Sequence, residues 1–417
     1  MESSASIELA KHILLVFGVI LALGTFSGLI ARLVRVPDVV VFLLVGMLLG
    51  PGVLGLVDIK ASSAINQLIL IFGSSYILFD GGASIRLKVL KEVWITVSVI
   101  STIGVLISAA ITGVAAYYIL EVPFIVALLL GSVLASTDPA TLVPVFKQIR
   151  IKERVAQTVM TESAFNDAMG AIVTFTVLGV AMGAGDFSAG DALLGLLKQS
   201  GLGILIGGFL GYFAILLIAH EKFGFLAEYA PVVTLMAVIG AYMGADGLHS
   251  SGFMAVFVFG IMIGNQEAFG LRRAHQDEKI LEDYIMTTAL IMRMFIFILL
   301  GTQVDFVLMN QYLFAGAALI AVFMLVVRPI TVFLCAAPDR RAKWSRNELL
   351  FMCWTRETGV IPGALAGLLL GMKAPGAEII ASVTFIAILM TILIQATTTK
   401  WLAGRLGLLL EQNPAIK

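Results

Sequence analysis

The chain has 417 residues, of which 59% are hydrophobic and 13% charged, and its 27 basic and 27 acidic side chains leave a formal net charge of zero. A mean hydropathy of +1.02 excludes an ordinary soluble domain; the zero net charge says nothing about partners, and nothing in the sequence suggests nucleic-acid binding. The polar residues gather in short gaps between apolar runs, long enough to cross a hydrocarbon core of roughly 30 Å as helices.

In chain order, thirteen such runs begin near residues 10, 38, 62, 93, 124, 155, 190, 228, 250, 279, 308, 347 and 377, the second and ninth being the shortest. No small-residue cleavage site follows the first run, which therefore reads as a retained helix. The connections after runs 1, 3, 5, 7, 9, 11 and 13 hold twenty of the 27 lysines and arginines, among them Arg86, Lys88, Lys91, Arg340, Arg341 and Lys343. By the positive-inside rule those connections are cytoplasmic, which puts the N-terminus outside and the C-terminus inside. Cys335 and Cys353 fall in or near apolar runs and read as packing residues. His12, His220, His249 and His275 are too scattered for a metal site.

The fifth run contains Ala135-Ser136-Thr137-Asp138-Pro139-Ala140. Proline removes a backbone donor and drives its predecessor out of the helical region, so the spacing predicts a break near Asp138. The sixth run contains Thr161-Glu162-Ser163-Ala164-Phe165-Asn166-Asp167. One acid at the bilayer centre costs roughly 2.5–3.5 kcal/mol on insertion scales, so two acids five residues apart call for a function. Helical spacing sets Glu162 beside Asn166, with Ser163 and Asp167 on the neighbouring strip. Such a cluster of oxygens suits a hard cation or a proton.

The twelfth run is interrupted in a similar way, at Trp354-Thr355-Arg356-Glu357-Thr358-Gly359-Val360-Ile361-Pro362-Gly363. With residues about 10–183 as one repeat, 190–219 as a linker helix and 228–405 as a second repeat, the two broken helices take position five of each. Six helices plus a linker invert the second repeat. Matched broken helices at a repeat interface point to a transporter binding site. The alternative for each proline alone is a simple kink. Arg328 on the eleventh run lies deep enough to need a carboxylate, and Glu162 is the expected partner; the alternative is a side chain snorkelling to the membrane surface. Arg356 and Glu357 fit mutual neutralisation, half-helix ends or ion contact. Asp80 reads equally as an entrance residue or a capping acid, and Arg293 has no assigned role.

At these residues the chain resembles the monovalent cation:proton antiporters, in particular the NhaP-like sodium or potassium/proton exchangers. Thr137-Asp138-Pro139 followed by Glu162-Ser163-x-x-Asn166-Asp167 carries most of the resemblance. Gly46-Met47-Leu48-Leu49-Gly50-Pro51, Leu78-Phe79-Asp80-Gly81-Gly82 and Arg328 support it. The resemblance implies an all-α polytopic membrane protein of about 13 helices, two inverted six-helix repeats and crossed broken helices 5 and 12. A mobile core including 124–183 and 347–405 would move against a dimerisation domain.

It also implies that Asp167 holds either Na⁺ or K⁺ or a proton, with Asp138, Ser163 and Thr137 completing the cation site and Glu162 shaping it. Asn166, Arg328 and Arg356 would support that site. The Asn-Asp pair goes with electroneutral one-for-one exchange. The same resemblance implies a homodimer in the lipid of the plasma membrane and no enzyme activity. No cofactor is expected beyond the transported ions, and no soluble regulatory domain; a separate regulatory subunit is left open. Many relatives carry a Gly-Leu-Arg-Gly phrase in the twelfth helix where this chain has Trp354-Thr355-Arg356-Glu357-Thr358-Gly359. Other readings are a cation channel, an organic-solute carrier of similar architecture and an ion-binding membrane sensor. A continuous polar path, an aromatic-lined polar cavity and a soluble output domain, respectively, would mark them.

Overall fold

The computed structural model describes residues 2–34, 36–137, 151–183, 189–219, 224–270 and 275–409. The helices are α1 (Glu2–Val34), α2 (Asp38–Leu49), α3 (Ala64–Ala83), α4 (Leu87–Leu120), α5 (Phe124–Leu134), α6 (Glu153–Ala181) and α7 (Ala189–Ala219). They continue with α8 (Ala230–Gly247), α9 (Gly252–Gly264), α10 (His275–Thr302), α11 (Phe306–Cys335), α12 (Arg346–Trp354), α13 (Val360–Gly371) and α14 (Ala377–Arg405). Among the described residues there is no β-strand, only one isolated bridge between Ile151 and Leu409. Each of the thirteen expected spans is present, with α12 and α13 as the two halves of the twelfth. Nine of the described spans are long and apolar enough to cross a membrane, and α2, α5, α9 and α13 are shorter apolar helices.

Two expectations need correcting. The runs at α2 and α9 give helices of 12 and 13 residues, shorter than a full crossing. The fifth helix ends at Leu134, four residues before the expected break at Asp138, because the groups of Ser136 and Thr137 bond to α6 and not to their own helix. Asp138, Pro139 and the rest of the 138–150 stretch lie outside the described residues.

The helix packing follows the same pattern in the first and second halves of the chain. Exchanging spans 1–6 with 8–13 turns the α3–α9 packing into the α10–α2 packing and the α4–α6 packing into α11–α14. It also turns α5–α6 into α13–α14, while α4 packs on its own counterpart α11. The two glycine-lined crossings explain two sequence motifs. A Cβ on Gly46 would lie 2.2 Å from the Ile298 carbonyl oxygen, and one on Gly301 would lie 2.4 Å from that of Leu43, so α2 and α10 touch backbone to backbone. At the matching crossing, a Cβ on Gly82 would lie 2.2 Å from the Phe257 carbonyl, and one on Gly260 equally close to that of Phe79. Without a hydrophobic force between helices in lipid, such close approach supplies the packing that holds them. Exposed apolar side chains belt the outside, notably Leu14, Leu15 and Phe26 on α1, Phe209 on α7 and Met236 on α8.

The α11–α12 connection is tied down at Asp339. Its Oδ2 accepts the Thr96 hydroxyl at 2.6 Å, and its Oδ1 accepts the Arg341 and Ala342 N–H groups at 2.9 and 3.1 Å. Burial pushes this carboxyl up, but the hydrogen bonds outweigh burial and hold it below its usual value. Trp344 adds a bond from its indole N–H to Thr96 at 2.8 Å and a face for the Arg154 guanidinium at 4.5 Å. At the start of α12, Ser345 and Glu348 form a capping box, and Glu348 also receives Arg154 at 2.8 Å. These bonds join the beginning of α6 to the second repeat.

Gly82→Ala should cost about 1–3 kcal/mol by overpacking the α3–α9 crossing. Gly18→Ala, with nothing within 4 Å of its Cβ, should cost nothing; thermal unfolding in detergent compares them. A carboxyl held below its ordinary value contributes stability in full above the ordinary carboxylate range and loses it as pH falls through the lowered value. Unfolding followed from neutral to acid pH should therefore show a smaller acid loss in Asp339→Asn than in the parent.

Candidate functional site

The first break and α6 build the site. α5 stops at Leu134, and the non-helical residues Ser136 and Thr137 bond to α6. Asn166 replaces the missing helical partners: its Oδ1 accepts the Thr137 N–H at 3.1 Å, and its Nδ2 donates to Thr137 Oγ1 at 2.8 Å. The Ser163 hydroxyl lies 3.0 Å from both Thr137 Oγ1 and the Thr137 carbonyl. Ser136 donates its hydroxyl to Asp167. Thr137, Ser163, Asn166 and Asp167 are all buried, Asp167 being 3% exposed. A Cβ on Gly170, one turn on, would press within 2.8 Å of Ser136 Cβ, so a larger residue there would push the broken strand off the helix.

Glu162, one turn before Asn166, meets Arg328. The guanidinium grips both carboxylate oxygens, Nη1 to Oε1 at 2.8 Å and Nη2 to Oε2 at 2.6 Å, while its Nε donates to the Met352 carbonyl at 3.1 Å near the end of α12. Glu162 is 2% exposed and Arg328 1%, so snorkelling is not what Arg328 does. The bidentate fork neutralises two charges that neither could keep alone in an apolar interior. Arg328 follows a π-helical turn at Phe323–Val327 and precedes Pro329, so the backbone of α11 is locally rewound where its side chain turns inward.

Arg356 connects the two breaks. One Nη donates to the Ala135 carbonyl at the open end of α5 and the other to Ser108 at 3.4 Å, while its charge lies 5.4 Å from the Phe323 ring. A cation at the C-terminal end of a half-helix satisfies an orphan carbonyl and offsets the negative end of the dipole. Ser108 is itself paired with Thr331 at 3.0 Å.

The structure thus brings together Asp167, Ser163, Thr137, Glu162, Asn166, Arg328 and Arg356. Asp138 lies outside the described residues. Ser136 is the residue that sequence reasoning passed over, together with Ser108. The signal for Ser136 was its place beside Thr137 in a stretch already expected to leave the helix. Asp80 is partly buried near the end of α3, and the next residue, Gly81, faces α6, where a Cβ on it would lie 3.6 Å from that of Ala164. Arg293 of α10 is partly buried, and its Nε has no hydrogen-bond partner among the described residues. Cys335 and Cys353 are free and buried in apolar packing.

The profile of the family described as "Sodium/hydrogen exchanger, transmembrane" matches residues 17–405. The chain belongs to this family. Its members are transporters, not enzymes. Na(+)/H(+) antiporter 1 of Methanocaldococcus jannaschii is 33% identical over 359 residues, covering 84% of this chain and 81% of the relative. K(+)/H(+) antiporter NhaP of Alkalimonas amylolytica is 28% identical over 405 residues, covering 93% of this chain and 66% of the relative. The structure of the sodium proton antiporter MjNhaP1 from Methanocaldococcus jannaschii at pH 8 matches with a TM-score of 0.82 at 30% identity, over 96% of this chain and 99% of the other. The antiporter fold is therefore common to both.

Removing one member of a buried ion pair strands the other charge. Arg328→Met should destabilise by about 3–5 kcal/mol, and Arg328→Met with Glu162→Gln should regain most of that. Denaturant unfolding in detergent measures both, and equal losses in the single and double variants would contradict a directly paired Glu162.

Proposed function

We propose that this family member exchanges a monovalent cation for a proton across the membrane by alternating access, with Asp167 as the group that holds one or the other. Na⁺ is the favoured cation and K⁺ the alternative, since relatives named for each cover most of this chain. The observation that carries the reading is the arrangement on α6: Arg328 is gripped by Glu162, while Asp167, one turn on, receives the Ser136 hydroxyl of the broken fifth span. A fixed guanidinium would lock a carboxylate's charge. A hydroxyl contact of the kind Ser136 makes leaves a carboxylate able to hand over between a proton and a small cation.

The coupling follows from desolvation. A bare carboxylate in a low-dielectric interior is costly, so the site crosses loaded with either a proton or a cation and rarely empty. Ser163, the Thr137 carbonyl and hydroxyl, and Asp138 supply further oxygens of the kind that Na⁺ or K⁺ prefers. Asn166 holds the broken strand against α6, and Arg356 steadies the open end of α5. With Asn166 in place of a second acid, the exchange is one-for-one and electroneutral.

The core containing α5, α6, α12, α13 and α14 moves against the remaining helices to expose the site on each side in turn. The protein works as a homodimer in the plasma membrane, for which the apolar outer faces of α1, α7 and α8 provide area. The basic connections, including those after α3, α9 and α11, face the cytoplasm.

Asp167→Asn should abolish cation-driven proton movement in proteoliposomes while the protein still folds; appreciable exchange in that variant would sink the assignment. At subsaturating cation, the parent should slow as pH falls, because protons displace cations from Asp167. A rate that stays flat between acid and alkaline pH would rule out competition at one carboxylate.

A further inference from the structure

The second break contains buried polar residues besides Arg356 that the exchange reading leaves unused. Between α12 and α13, residues Thr355, Arg356, Glu357 and Thr358 leave the helix within the protein interior, and Glu357 and Thr358 are fully buried. The Thr358 N–H donates to Thr391 Oγ1 of α14 at 3.0 Å, and Thr391 passes its own hydrogen to the Ala387 carbonyl. Thus a residue in the twelfth span bonds to the thirteenth here, as Thr137 in the fifth bonds to Asn166 in the sixth. On that match Glu357, the residue before Thr358, takes the place that Ser136, the residue before Thr137, takes in the first repeat.

Gln395 completes the parallel. It lies one turn along α14 from Thr391, inside the π-helical turn Ile392–Ala396. The bonds Thr358–Thr391 and Trp354–Thr398 bracket it from either side, so Gln395 stands level with the break. It is wholly buried, and among the described residues neither its Oε1 nor its Nε2 has a hydrogen-bond partner; the same holds for the Thr358 hydroxyl. Buried polar groups without a partner are rare and mark a place for a water or an ion. π-helical turns recur at functional positions for a related reason, since they turn an extra side chain inward.

A crevice approaches the same place. It is lined by Gln303 and Asp305 after α10, Gly363 and Ala366 of α13, and Thr384 and Ile388 of α14. Its inner end at Ile388 and Gly363 lies about one helical turn from Thr391 and Gly359. Asp305 and Glu378 line its more exposed part.

We propose that the α12–α13 break holds a second binding site for a small monovalent cation, formed by the Glu357 carboxylate, the Thr358 hydroxyl and the Gln395 amide oxygen. This second site does not depend on Asp167 being the exchanged group. Oxygen donors from a carboxylate, a hydroxyl and an amide form the set that Na⁺ or K⁺ takes, and the acid balances the cation's charge. The inverted repeat provides the site by placing matching segments of span 12 and span 13 where spans 5 and 6 build the first.

Equilibrium binding of radioactive sodium and of radioactive rubidium to the purified protein in detergent tests this. Asp167→Asn should keep roughly half of the parent's saturating binding. Adding Glu357→Gln, or separately the near-isosteric Gln395→Met, should bring it to background while thermal unfolding shows a folded protein. Gln395→Met keeps the test open if the Glu357 variant fails to fold, since a merely structural Gln395 would leave binding unchanged. Asp167→Asn with no cation bound, or double variants that bind as Asp167→Asn does, would overturn the second site. Exchange by the parent in proteoliposomes reads the Asp167 assignment separately: its loss with Glu357-dependent binding intact would overturn that assignment and leave the second site standing.

Discussion

Charge inside a bilayer has to be neutralised, and in this protein the Glu162–Arg328 fork meets that demand for two of the deepest charges. The fork fixes more than an electrostatic balance. By occupying Arg328 and anchoring it to the Met352 carbonyl, it ties α6, α11 and α12 together at the level of both breaks. The rest of the site is arranged around that fixed point. Asn166 stands one turn from Glu162 and catches the strand leaving α5. Asp167 is the next residue, carried on the same rigid helix but facing Ser136.

The broken helices carry a cost that the structure meets in kind. Non-helical backbone at membrane depth survives only where side chains or other helices satisfy it. At the first break Asn166 and Ser163 do so, and Arg356 reaches across from the second break to the Ala135 carbonyl that caps α5. At the second break Thr391 does so from α14. Each break is thus stabilised by the helix that follows it, and the first also by a residue from the opposite repeat. The two halves cannot be pulled apart without exposing backbone polar groups, which links the geometry of one half-helix to the other through any movement of the core.

Much of this arrangement was legible in the sequence. Long apolar runs give the number of spans because their length is set by the bilayer, and prolines with charges beside them give both interruptions. Pairing Glu162 with Arg328 needed only the rule that buried charges find partners. The end of α5 was harder: it falls at Leu134, ahead of the proline, because Ser136 and Thr137 bond to α6, a tertiary competition that no local rule reports. Ser136 was missed for the same reason. The glycines of α2, α3, α9 and α10 were legible as motifs, but their use in two matching backbone contacts depends on which helices cross, and a single sequence does not contain that information. Glu357 was visible as a departure from related chains, while Gln395 carried no signal beyond being a polar residue in an apolar run.

The central claim is that one carboxylate on α6 trades a proton for a cation. Proton flux in proteoliposomes, recorded as sodium, potassium or lithium is added in turn with a membrane-potential dye present, tests it most directly. The account predicts a pH change with at least one cation, no accompanying potential, and none of it in Asp167→Asn. Flux that persists undiminished in that variant, or no cation-dependent proton movement in the parent, would contradict it.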